Sequence, residues 1–303
     1  VCPFLLSRSC TIGSGASLLR SEGHGSVDEP KRDRSEFVIK HEKLDLRLFL
    51  LRSELLLLHE ETIPDRVAEL KGSLVRDGVV RDPVIIDASS CVVLDGMHRV
   101  AALKELHSRV MPVCAVDYLN PNIRVGTWFR VLFGQTTPTQ MEAALSQSGI
   151  RTERYLADLT SVAENPTLAI LFAGGESFRL ASNDLTPHEI LKAAERSARE
   201  LRLSIAFETE HDAVQRLLSG KADMIMTLPK IDKMSVREAG LTRQLLAHKV
   251  TRHIIPARPL SVNVPLQMLA DEIPELEEIN RQFVSRLRAR GVTRRPPGTI
   301  IEG

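Results

Sequence analysis

Residues 92 to 106 read Val-Val-Leu-Asp-Gly-Met-His-Arg-Val-Ala-Ala-Leu-Lys-Glu-Leu, a β-branched run that breaks at Asp95-Gly96 and continues as a helix. The first N–H groups of a helix have no intrahelical acceptor and carry partial positive charge. Gly96 permits close approach of a ligand, and His98 and Arg99 add donors beside it. This stretch is therefore expected to hold an anion, and a phosphate in particular, through Gly96, Met97, His98 and Arg99. Charge-assisted bonds of this kind contribute roughly 1.5 to 3 kcal/mol each. Asp95 falls at the carboxyl end of the strand, where α/β folds collect their ligands. Two roles are open to it: a catalytic or Mg²⁺-binding carboxylate, or the N-cap of the following helix.

The elements that must position this motif can be read from the pattern around it. Residues 1 to 35 are rich in Ser, Gly and charge and show neither helical nor strand periodicity, so they predict a disordered tail. From 36 to 130 the elements are short: an apolar run over 44–58, then a helix from Pro64 to Asp77 with Val67, Leu70, Leu74 and Val75 inward. Strands over 83–86 and 91–94 are joined by a turn, and further strands are expected over 111–116 and 123–129. A second α/β lobe spans 131–270. It has helices over 138–148, 187–201 and 211–218, and strands over 167–173, 177–181, 203–207 and 223–228. Residues 271–303 predict a helix and a basic tail carrying Arg281, Arg286, Arg288, Arg290, Arg294 and Arg295. A solvated helix end accounts for these arginines, since cations suit helix C-termini.

Composition narrows the function classes. With 303 residues the chain has room for two cores, and 43% apolar with 26% charged residues is ordinary for a globular protein. A net charge of +1 and an aromatic share of 4% argue against nucleic acid as a partner, because neither a basic field nor stacking platforms are present. The four cysteines, Cys2, Cys10, Cys91 and Cys114, form no Cys-x-x-Cys pair and fit a reducing cytoplasm. No apolar stretch reaches the roughly 18 to 20 residues of a membrane-spanning helix.

Asp95-Gly96-x-His98-Arg99 after a strand, the helix Val-Ala-Ala-Leu-Lys-Glu-Leu and a Pro-Val strand ending at Asp117-Tyr118 together resemble the ParB/sulfiredoxin superfamily. Within it, His59-Glu60 upstream, Thr127-Trp128 downstream and Lys249-Val250-Thr251-Arg252-His253 late in the chain resemble free L-serine kinases, of the siderophore-cluster and archaeal types. The resemblance implies a mixed α/β fold with a ParB/sulfiredoxin-like nucleotide-binding domain, a second α/β lobe, and an active site in the cleft between them. It implies transfer of a phosphoryl group from ATP or ADP, with Mg²⁺, to the hydroxyl of free L-serine.

Glu60 is then the general base, a role worth roughly 10² to 10⁴ in rate. Ser73, Trp128, Thr251, Arg252 and His253 are the candidates for holding serine, with Arg252 suited to its carboxylate. Trp128 can equally be core, and the Thr-Arg-His segment an ordinary surface loop. The commonest form of the kinase motif carries a second His where this chain has Met97, whose thioether cannot donate to phosphate.

Two other classes share the superfamily. A ParB-type DNA-binding regulator needs a helical reading domain after the phosphate motif, and here a strand over 203–207 interrupts the helices. Sulfiredoxin-like chemistry needs a reactive Cys beside the motif, whereas Cys91 lies in the preceding strand.

Overall fold

In a computed structural model of the chain, the described residues are 36–164, 166–270, 275–291 and 293. The tail expected over 1–35 and the arginines at 294 and 295 lie outside them.

The chain opens with β1 (Phe37–His41) and β2 (Leu44–Arg52), followed by α1 (Pro64–Asp77), β3 (Val79–Val80), β4 (Val84–Asp87), β5 (Val93–Asp95), α2 (Met97–Glu105) and β6 (Val110–Val116). Five of these strands form a sheet in the order β1-β2-β6-β4-β5, antiparallel except for the β4/β6 pair. Every residue of β6 is buried, as a central strand covered on both faces requires. On α1, Val67 and Leu74 point inward as expected, but Val75 is 59% exposed. One residue on from Leu74 is about 100° around the helix, which carries Val75 off the buried stripe.

A long strand, β7 (Arg124–Phe133), begins the second half. It is followed by α3 (Pro138–Gln147), β8 (Arg151–Arg154), β9 (Ala169–Phe172), β10 (Ser177–Ala181), α4 (Pro187–Glu200), β11 (Ser204–Thr209), α5 (Glu210–Leu218) and β12 (Met224–Thr227). The strand expected over 123–129 thus runs to Phe133 and builds the second sheet, not the first. That sheet has the order β11-β7-β12-β9-β10-β8. Its residues alternate with period two: Leu132, Ile170, Met224 and Met226 face the side covered by α4, and Val131, Leu171 and Ile225 face the side covered by α5. Both α3 and α4 begin with a Pro and a capping box, Thr137 with Gln140 and Thr186 with Glu189, which satisfies the free N–H groups of their first turns.

The chain then forms α6 (Lys233–Thr242), β13 (Thr251–Ile254), β14 (Val264–Pro265) and α7 (Leu276–Arg290). β13 pairs with the first half of β7, and β14 returns to pair with β3. α7 lays Ile279, Phe283, Val284 and Leu287 into the core of the first sheet, and its Asn280 Oδ1 accepts from Leu50 N at 2.8 Å. Its arginines serve the helix and its surroundings: Arg281 pairs with Glu278, and Arg290 Nη1 donates to the Val262 carbonyl at 2.7 Å. Among the described residues no helix is long and apolar enough to cross a membrane.

Candidate active site

The Asp95–Arg99 motif adopts the expected strand-to-helix turn. Gly96 is the N-cap of α2, with φ +95°, and no side chain caps the helix, so its first N–H groups face outward. Only glycine suits this position. A Cβ there would lie 2.8 Å from Arg99 Nη1, on a backbone that L-residues rarely adopt. Asp95 is therefore not the N-cap. Its Oδ2 lies 3.0 Å from Arg258 Nη1, and Arg258 Nη2 donates to the His253 carbonyl at 2.9 Å.

His98 Nε2 accepts from the Ile63 N–H at 3.1 Å. That N–H can only donate, so the neutral ring carries its hydrogen on Nδ1, and Nδ1 is the donor left for a ligand. Burial, then the charges of Lys249 and His248, hold the His98 ring below its ordinary pKa. Arg99 Nη1 turns back to the Pro83 carbonyl at 3.0 Å, leaving the rest of its guanidinium. Met97 packs against the core of the first sheet.

Glu60 joins this turn to the other half of the molecule. The His59 to Glu61 segment pairs with Leu246: Leu246 N donates to the His59 carbonyl, and Glu61 N to the Leu246 carbonyl, each at 2.9 Å. This places the Glu60 carboxylate, 3% exposed, against the start of β13. Glu60 Oε1 accepts from Thr251 N at 2.5 Å and Thr251 Oγ1 at 2.6 Å, and Oε2 accepts from Lys249 N at 3.0 Å. Its negative charge acts on His98 at the start of α2, on His188 at the start of α4, and on His248. Burial nonetheless lowers the pKa of all three rings.

The Thr-Arg-His segment is a strand, not a surface loop. Pairing with β7 sets Thr251 opposite Thr127 and Arg252 opposite Gly126. Directly opposed residues share a face, so Thr251 and Thr127 lie on one face and Arg252 with Gly126 and Trp128 on the other. Trp128 is only partly buried, and Lys249 Nζ sits 5.0 Å and Arg252 Cζ 5.8 Å from its ring centroid. Arg252 Nη2 pairs with Glu210 Oε2 at 2.9 Å, while its buried Nε has no partner among the described residues. Glu210 Oε1 accepts from Thr127 N at 2.6 Å, and a Cβ on Gly126 would lie 2.7 Å from that same oxygen. His253 is buried, with Nε2 2.8 Å from the Tyr118 hydroxyl.

Of the candidates, Glu60, His98, Trp128, Thr251 and Arg252 gather around one region, with Lys249 among them. His253 supports it from beneath. Ser73 is not brought there. α1 and α2 run side by side in the same direction, since Ile63 meets His98 at one end and Lys71 meets Glu105 at 3.2 Å further along. Ser73 lies beyond Lys71, roughly 14 Å along the axis from Pro64.

Sequence reasoning assigned no role to Lys249, Arg258 or Arg130. Lys249 stands at a φ of +56° in a turn without periodic signal. Arg130 did leave a trace, a cation in the apolar run Trp-Phe-Arg-Val-Leu-Phe. It is fully buried, bonds Glu195 Oε1 through Nε at 2.8 Å, and donates to the carbonyls of Trp128 at 3.0 Å, and of His248 and Lys249 at 2.8 Å each. One guanidinium thereby fixes both the Trp128 backbone and the turn that carries Lys249.

The buried histidines make a prediction about acid. Burial lowers His59, and burial followed by the charge of His59 pushes His253 down to about 3. In the unfolded chain both titrate near 6.5, so below that pH the unfolded state binds protons that the folded state refuses. Stability is complete above about pH 6.5 and falls as the pH drops toward 3, by roughly 1.4 kcal/mol per pH unit for His253, with His59 adding a loss of the same sign. Urea midpoints at pH 7.5, 6 and 5 should decline accordingly, and less steeply in His253→Gln. Equal midpoints at all three would overturn this account.

Among the described residues no three His, Cys, Asp or Glu side chains are grouped to hold a metal ion. Mg²⁺ needs no such cage, because it is commonly bound through one or two carboxylates together with substrate phosphates. Asp95, at the turn where a phosphate is expected, is the side chain that fits this donor set.

No family model matches the chain. It is 28% identical over 229 residues to an ATP-dependent L-serine kinase of Staphylothermus marinus, covering 73% of this chain and 90% of that one. It is 21% identical over 216 residues to the ADP-dependent L-serine kinase SerK of Thermococcus kodakarensis, covering 70% and 88%. Among solved structures, a free serine kinase in complex with AMP superposes with a TM-score of 0.64 at 20% identity, over 79% of this chain and 98% of that one. SbnI with a C-terminal truncation, from Staphylococcus aureus, does so with a TM-score of 0.62 at 18% identity, over 79% and 96%. These likenesses cover 70 to 79% of the chain, and the chain resembles free L-serine kinases.

Proposed function

We propose that this chain is a free L-serine kinase, transferring the terminal phosphoryl group of ATP or ADP to the serine hydroxyl to give O-phospho-L-serine. The observation that carries the reading is the placement of Glu60. It is a buried carboxylate fixed by Thr251 and Lys249 and lying within electrostatic reach of His98 at the uncapped start of α2. That supports reading Glu60 as the base for the acceptor and the start of α2 as the phosphate site of one centre. The division into a nucleotide-binding domain over 36–130 and a substrate lobe over 131–270, with the cleft between them, belongs to the same reading.

In-line phosphoryl transfer asks mainly for positioning and for neutralisation of charge. The nucleotide phosphates take the free N–H groups of α2, the His98 Nδ1–H and the unused donors of Arg99. Asp95 would hold Mg²⁺ with the phosphate oxygens, which supplies charge neutralisation on the transferring group. Arg252 has Nη2 committed to Glu210, so its remaining donors, with Lys249 Nζ above Trp128, are the cations available to the serine carboxylate. Held in this way, the serine hydroxyl presents its proton to Glu60. The cytoplasm, where nucleotide and free amino acid coexist, is the compartment this activity requires.

Purified protein incubated with L-serine, Mg²⁺ and either ATP or ADP should yield phosphoserine by mass spectrometry, and chelation with EDTA should stop it. No product with either donor would sink the reading, and salt-sensitive DNA binding in its place would favour a regulator.

A further inference from the structure

The hydrogens around Glu60 do not add up to a full set of bonds. His59 is fully buried, and its Nδ1 lies 2.6 Å from the Val93 carbonyl oxygen, which can only accept, so Nδ1 carries a hydrogen. Its Nε2 lies 2.9 Å from Thr251 Oγ1, and the same hydroxyl lies 2.6 Å from Glu60 Oε1. The Thr251 hydroxyl has one hydrogen for these two contacts. With a neutral ring on one side and a carboxylate on the other, one of the two contacts lacks a proton. Exactly one added proton would complete both.

We propose that Thr251 and His59 complete the base: the proton that leaves the serine hydroxyl for Glu60 passes through the Thr251 hydroxyl to His59 Nε2. This rests on the kinase reading and deepens it. In the step, the serine O–H bond breaks and its proton goes to Glu60. The serine oxygen forms its bond to phosphorus while the bond to the nucleotide oxygen breaks, and that oxygen keeps the electron pair. The proton on Glu60 Oε1 then moves to Thr251 Oγ1 as the Thr251 hydrogen moves to His59 Nε2. Glu60 is left a carboxylate, facing an imidazolium 3.9 Å away. Burial keeps the ring neutral until that moment.

The other groups facing His59 are few. The ring of His253 stands edge-on with centroids 5.4 Å apart, and behind it lie the Tyr118 hydroxyl and Arg258. None of them bonds His59 Nε2. His59 acts through Thr251 and Glu60 without touching substrate, so it is a positioning residue whose proton affinity matters.

The test measures kcat and KM for serine against pH in wild type, His59→Gln, Thr251→Val, Thr251→Ser and the double variant His59→Gln/Thr251→Val. The His59→Gln and Thr251→Val variants should each lower kcat on the order of 10- to 100-fold, with KM for serine in His59→Gln within about twofold. Their acid limb should move to lower pH, because the acceptor that remains is a carboxylate with no imidazole behind it. The double variant should be no slower than the slower single, and Thr251→Ser, which keeps the hydroxyl, should recover the wild-type limb. Should His59→Gln fail to fold, the Val and Ser variants at 251 carry the test by themselves. An unmoved acid limb, losses that multiply in the double variant, or a raised KM in His59→Gln overturns the relay while leaving the kinase in place. A wild-type protein that forms no phosphoserine overturns the kinase reading, and the relay with it.

Discussion

Glu60→Gln should reduce phosphoserine formation by roughly 10² to 10⁴, the contribution of a positioned general base, while nucleotide affinity stays within about twofold. The substitution keeps the shape and leaves an amide oxygen to accept from Thr251. It removes the ability to take a proton, and it turns an NH₂ toward either Lys249 N or Thr251, where a carboxylate oxygen had accepted. The local cost of that mismatched buried donor is about 1 to 3 kcal/mol. The uncapped start of α2 and Arg99 do not bond Glu60, so the nucleotide should bind as before. Calorimetric titration with ADP alongside the turnover assay separates the two roles. If binding is lost with activity, or activity survives, Glu60 is not the base.

Arg130→Met should be the most destabilising single change in the second half. It leaves the carboxylate of Glu195, 2% exposed, with Arg199 Nη2 at 3.0 Å as its remaining ion-pair partner, and removes the donor from three backbone carbonyls. Breaking a buried ion pair by removing one partner costs about 3 to 5 kcal/mol, which for a chain of this size lowers Tm on the order of 10 °C. Adding Glu195→Gln should recover part of the loss by removing a buried charge that has lost its main partner, although it also removes the ion pair with Arg199. KM for serine should rise even where the protein stays folded, because the Lys249 turn and the Trp128 backbone lose their common anchor. A Tm within 2 °C of wild type, measured by scanning calorimetry, would contradict this role.

These two residues mark how far the sequence could be read. Glu60 was found by its place in an ordered set of motifs, not by local chemistry, since a His-Glu-Glu run by itself reads as a solvated loop. Arg130 was visible as a cation within an apolar strand, but the run shows neither its partner nor which carbonyls it holds. Helix limits were legible where chemistry marks them, as with Pro64, Thr186-Pro187 and the Gly96 turn. The assignments that failed lacked such marks. Val75 differs from the inward residues of α1 only by its angle around the axis, and Ser73 was carried by position along the chain, which says nothing about which end of α1 faces the site.

By itself, then, the sequence determined the Asp95–Arg99 turn: a strand, a glycine that a side chain cannot replace, and a helix start rich in donors are all encoded within a few neighbouring residues. The tertiary structure alone decided which distant residues are brought to that turn. Glu60 and Thr251 are 191 residues apart and meet because β13 pairs with β7 while the His59–Glu61 segment pairs with Leu246. Backbone pairing of this kind is generic in its hydrogen bonds, and its register is set by burial across the whole sheet. No local pattern announces it, and so the Glu60–Thr251–His59 contact became legible only once the chain was folded.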